Sequence, residues 1–238
     1  VGAEVDVYSS ALTANAPVTG SGNISLATTG AGANLLLWDS ALTAQGSCAI
    51  SLTAAEGTVG IYNSADHWVT TGGGAIVVSG HGTGWYDPGY YASDSSFYAN
   101  DGVRLVGALL DAGTGTVTVT GTSTDGTGVA IAPMAADSDP VPSQIKGARV
   151  SVEGTGGAYG VWISGSLLEA GAGLAYVKGT SAYVFGSEGG TGEIPPSGVA
   201  IVDGQLSSVT GGVSVDGEGS RFGTLIVAGS SLSTGASD

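Results

Sequence analysis

Positive charge is scarce in this chain. Arg104, Lys146, Arg149, Lys178 and Arg221 stand against 20 acidic residues in 238 positions, for a formal net charge of −15. Phosphate neutralisation needs clustered Lys and Arg, so nucleic acid is excluded as a natural partner, and anionic membrane surfaces are disfavoured for the same reason. Charged residues of either sign make up only 11% of the chain, which leaves Ser, Thr and Gly as the solvent-facing set. That composition suits an extracellular or cell-surface protein. Cysteine occurs once, at Cys48, so no intrachain disulfide can form. Beside the apolar run Cys48-Ala-Ile-Ser-Leu52 it reads as a small buried hydrophobe. His67 and His81 are the two histidines, too few with one thiol for a tetrahedral zinc site. Asp137-Ser-Asp139 offers carboxylates without the Gly-rich nonapeptide of calcium-loaded β-rolls, and no metal or other cofactor is expected. No apolar run is long enough to span a bilayer, so membrane insertion is not expected. The chain opens on Val1-Gly-Ala-Glu-Val5, with neither Met nor a signal peptide, and reads as a processed protein or a piece of a longer one.

Glycine and short apolar alternations are abundant. Gly occupies 44 positions without a Gly-X-Y period, and 42% of residues are hydrophobic, which excludes both collagen and a disordered low-complexity tract. The stretch from Val199 to Gly217 holds the organising pattern: Val199 and Ile201, then Leu206, then Val213 and Val215. It reads as two period-two strands separated by a polar, Gly-rich corner. The same offsets recur at Val161, Ile163, Leu168, Ala175 and Val177, and again at Val103, Leu105, Leu110, Val117 and Val119. A unit that cannot bury its own apolar face must stack on copies of itself. The pattern therefore predicts one all-β domain over residues 1–238, a right-handed parallel β-helix, or β-solenoid, of about eight rungs. Eight rungs would span on the order of 35 Å along the axis.

In chain order, coils are expected to start at Val5, Leu35, Val59, Val103, Val129, Val161 and Val199, with a last partial turn at Leu225, Val227 and Leu232. Ser10-Ala-Leu-Thr-Ala14 returns letter for letter as Ser40-Ala-Leu-Thr-Ala44, a direct sign of repetition, and Trp68 falls near the place of the third coil's middle Leu. Three insertions interrupt the coils, at residues 84–101, 133–146 and 180–197. The first is the functional candidate, because it gathers Trp85, Tyr86, Asp87, Tyr90, Tyr91, Asp94, Phe97 and Tyr98 and ends on Asp101. Planar rings stack on sugar faces while carboxylates accept hydroxyl hydrogen bonds, so the stretch suits a glycan or protein partner. The competing expectation is a self-packed flap over the wall of the coil.

Catalytic readings find less support. Ser79-Gly-His-Gly82 resembles an element of polygalacturonases, but the Asn-Thr-Asp and Asp-Asp elements that give those enzymes their acid and base are missing. His81 is then expected to be a turn histidine between glycines, and Arg104 and Arg149 outward, solvated residues. No catalytic residue is assigned. The phrase Gly-x-x-Val-x-Val-x-Gly-x-Gly, as in Gly147-Ala-Arg-Val-Ser-Val-Glu-Gly-Thr-Gly156, resembles the shafts of filamentous-haemagglutinin-like exoproteins and autotransporter passengers. That resemblance implies a secreted, non-enzymatic shaft with adhesive or biofilm roles. Its partners would be a host or neighbouring-cell glycan or protein, or copies of itself stacked end to end into an extracellular filament. A polysaccharide-active enzyme or spike on the same scaffold is the third expectation.

Overall fold

A computed structural model describes residues 5–7, 11–14, 18–20, 22–63, 68–83, 101–134, 140–182, 195–227 and 229–235, with side chains from residue 22 onward. Among these residues there are 24 strands and no helix. The strands form three parallel sheets of eight, and each sheet takes every third strand of the chain. The polypeptide therefore visits the first, second and third sheet in turn and then repeats, the connectivity of a parallel β-coil.

Register follows the apolar template closely. In the second sheet Val59 pairs with Val103, Val103 with Val129, Val129 with Val161 and Val161 with Val199. In the first, Val117 pairs with Val150, Val150 with Ala175 and Ala175 with Val213. These inward residues make continuous columns, and Val103, Val129, Val161, Ile163, Val199 and Ile201 have no exposed surface. Burying such a side chain contributes about 1.5–3 kcal/mol. The stacked columns make one core along the coil.

Several local expectations need correction. Each turn has three strands rather than two, because the middle Leu lies on a short strand of its own: Leu168 in Leu167–Ala170 and Leu206 in Gln205–Ser208. Val5 pairs with Ile24 in the first sheet, and it is Leu12 that pairs with Leu35 in the second, so the first turn is shorter than the apolar starts implied. The two Ala-Leu-Thr-Ala copies occupy different sheets, Ala11–Ala14 the second and Leu42–Ala44 the third. Their identity reflects a shared strand pattern and not a shared position. Val69 takes the inward place in the third sheet and pairs with Leu110, while Trp68 points the other way opposite Leu109. In the last turn Thr224 and Ile226 stack on Val199 and Ile201, one residue off the expected Leu225 and Val227.

The recurrent Gly-x-Gly has a steric cause. Gly80, Gly121, Gly154, Gly179 and Gly217 stack in register near the ends of the first-sheet strands. A Cβ on Gly154 would sit 2.0 Å from the carbonyl oxygen of Gly160, and one on Gly121 would sit 1.9 Å from that of Gly128. At this corner the first and second sheets press backbone to backbone, which only glycine permits. The next corner, into the third sheet, needs a left-handed residue instead. Gly107 and Gly165 supply it with φ of 60° and 47°, and Asp39 and Asp203 with 41° and 52°. Asp tolerates that region better than most side chains.

Candidate functional site at the root of the longest insertion

Trp85, Tyr86, Asp87, Tyr90, Tyr91, Asp94, Phe97 and Tyr98 all lie outside the described residues. The root of that insertion is described. The chain leaves the first sheet after Ile76–Gly82 and enters the second at Val103–Val106, so the insertion opens from the glycine-lined corner. Thr83 Oγ1 donates to the Glu56 carbonyl at 2.8 Å. On the returning side, Thr58 Oγ1 donates to the Asp101 carbonyl at 2.7 Å.

Asp101 is not the exposed loop carboxylate that the sequence implied. It stands two residues before the inward Val103, and strand alternation turns it into the interior, where 1% of it is exposed. Its Oδ1 accepts the Thr127 N–H at 3.0 Å, from the next turn of the coil. Its Oδ2 lies 3.9 Å from Arg104 Nε and has no hydrogen-bond partner among the described residues. Burial raises the Asp101 pKa to about 6, and neither the Arg104 charge nor the bonds from Thr127 offset it. Arg104, expected to be solvated, has a side chain only 16% exposed and lies beside this carboxylate. The i, i+3 spacing of the two residues and the inward phase of Asp101 were the signals available in the sequence.

The third insertion opens from the same corner, after Ala175–Ser181 and before Ser197–Val202, so it is narrower than residues 180–197. The second leaves after Val129–Ala132, between the second and third sheets, and ends before Gln144–Gly147, a strand that takes in residues assigned to the insertion. Met134 and Val141 close its root by an antiparallel bridge. Met134 packs with Tyr62 and Val106, and Leu36, Trp38 and Val141 join them. Trp38 stacks on Tyr62 with ring centroids 4.3 Å apart. Tyr159 and Trp162, edge to face at 4.8 Å, anchor a second cluster with Ala158 and Ala200. Part of the outer face of the second sheet is thus apolar, a feature hidden in the sequence because Trp38, Tyr62 and Trp162 sit singly at outward strand positions and Tyr159 just before a strand.

The outer face of the first sheet is polar. Ser51, Val77, Thr118 and Ser151 form one outward column, and Thr53, Ser79, Thr120 and Glu153 form the next. His81 belongs to this face, on a strand and not in a turn, and its Nδ1 is hydrogen-bonded to the hydroxyl of Thr122 one strand away. Arg149 is exposed at the start of its strand. Cys48 is only half-buried at the edge of the core. Among the described residues, no three His, Cys, Asp or Glu side chains come together as a metal site would require. The arrangement offers hydroxyl-bearing columns beside the corners where insertions are rooted, and the one carboxylate buried among the described residues is out of reach of a large ligand. No family model matches the chain, and no curated protein and no solved structure matches it.

Proposed function

We propose that the chain is a non-enzymatic shaft segment of a secreted or cell-surface protein, a right-handed β-helix of eight rungs whose corner insertions make adhesive contacts with a glycan or protein. The observation that supports this reading is the division of labour across the coil. Its inside is lined by stacked apolar columns that form one core, while the insertions enter at corners, where a stacked core tolerates them. Two of the three open from the first-to-second-sheet corner, beside a face rich in Ser and Thr that can exchange hydrogen bonds with a hydroxyl-rich partner. In this respect the chain resembles shafts of the filamentous-haemagglutinin-like type.

Deleting residues 85–100 tests the reading. The expected protein keeps its β-sheet circular dichroism and cooperative unfolding but loses binding on a glycan array and to whole cells. Undiminished binding would reject the insertion as the adhesive surface.

A filament protomer is the second reading, and one observation favours it. The last described turn presents Phe222, Ile226 and Leu232 with 40–46% of their surface exposed, an edge onto which a further parallel rung can stack. Electron microscopy of the purified chain across a concentration series separates the readings. Unbranched fibres with a regular axial repeat support stacking of copies, and a monomer at every concentration rejects it.

A further inference from the structure

We propose that Asp101 is a proton-operated brace of the coil: as a neutral acid it holds three successive turns together more firmly than as a carboxylate, so the fold is tighter in mildly acidic than in neutral solution. The geometry carries this independently of any adhesive role. The Asp101 carbonyl accepts the Thr58 hydroxyl of the preceding turn, and its Oδ1 accepts the Thr127 N–H of the following one. Gly102, next in sequence, accepts from the Val59 N–H and donates to the Thr127 carbonyl, so the same short segment bonds to both neighbours. The side chain is 1% exposed. Its Oδ2 makes no hydrogen bond among the described residues, and it lies 3.9 Å from Arg104 Nε. A buried anion with one oxygen unsatisfied is a costly occupant of that corner, and a proton on Oδ2 removes the charge.

Other charged or titratable groups on the packed elements are few. Arg104 lies on the same strand. Glu56 lies in the turn before Val59–Tyr62, Asp125 in the turn before Val129–Ala132, and His81 on the facing first-sheet strand, all three exposed to solvent. Arg104 is the only one of them that touches the Asp101 carboxylate.

The sign follows from linkage. With the Asp101 pKa raised from 3.8 to about 6, the folded chain holds more protons than the unfolded chain between those values. The stabilisation is complete below the ordinary carboxylate range and is lost as pH rises through about 6. A salt-bridged aspartate with a depressed pKa does the opposite.

Two measurements test the proposal together. In carbon-13-labelled wild-type protein, the Asp101 carboxyl resonance should titrate near pH 6, well apart from exposed carboxylates near 4. In denaturant unfolding, the wild-type unfolding constant should increase from pH 4 to pH 7 roughly fiftyfold more than that of Asp101→Asn, which cannot ionise. An Asp101 resonance that titrates near 4, or an Asn variant that keeps the whole pH dependence, would overturn it. If Asp101→Asn does not fold, the wild-type titration decides alone.

Discussion

Replacing Gly154 by alanine adds one methyl group where two sheets meet. Its Cβ would lie 2.0 Å from Gly160 O, 2.7 Å from Gly160 C and 2.9 Å from Val161 Cγ2. The first two obstacles are backbone, which cannot rotate away. Both partners are held on two sides, since Gly154 pairs with Gly121 and Gly179, and Gly160 accepts from the Val129 N–H and donates to the Ser197 carbonyl. Relief requires the first and second sheets to part by more than an ångström at this turn, and overpacking of this kind costs about 1–3 kcal/mol. Alanine also restricts the unfolded chain, which stabilises by about 0.4–1 kcal/mol wherever the native backbone accepts it. The net expectation is a loss of about 1–2 kcal/mol. Gly171 is the control, because a Cβ there meets Ala148 Cα and the Gly147 carbonyl oxygen only at 3.7 Å, an ordinary contact. Gly171→Ala should therefore be neutral or slightly stabilising. At about 2–4 °C per kcal/mol for a chain of this size, thermal unfolding followed by circular dichroism should show the Tm of Gly154→Ala lowered by about 2–8 °C and that of Gly171→Ala near wild type. Equal melting temperatures for the two variants would refute the close approach of the sheets.

Two further substitutions probe the inside of the coil. Ile201→Asp puts a charge into the column between Ile163 and Ile226 and should cost about 3–5 kcal/mol, read as a shift in the urea midpoint; wild-type stability would reject the register. Ser143 is fully buried, and its Oγ accepts the Ala108 N–H at 3.0 Å and donates to the Ala132 carbonyl at 2.7 Å. Ser143→Ala leaves that N–H unpaired at a cost of about 1–3 kcal/mol, and faster hydrogen exchange at Ala108 would locate the damage.

Much of the coil was legible because its inside is a strict template. In the turns that begin at Val103, Val161 and Val199, every apolar offset read from the sequence becomes an inward column. Failures occurred where apolarity stopped identifying the inward side. Leu225 is apolar and Thr224 is not, yet Thr224 stacks on Val199, because at the last described turn the column has no neighbour beyond it to keep polar atoms out. The third strand was missed because its second inward position is small or polar, Ala170 after Leu168 and Ser208 after Leu206, so one large apolar residue per turn is left to show a period.

The buried acid was hidden for a different reason. Reading Asp101 with the polar insertion before it assigns it to solvent, whereas reading it with the strand after it assigns it to the interior, two residues from Val103 and in the same phase. Alternation wins here because the corner is built from glycines and cannot bulge: Gly102 is boxed in by Thr122 N at 2.4 Å and Gly128 O at 2.8 Å from its Cβ position. The same tightness that forbids a methyl group at Gly154 surrounds Gly102, beside the buried Asp101 carboxylate, and Arg104 on the following strand supplies the nearby positive charge.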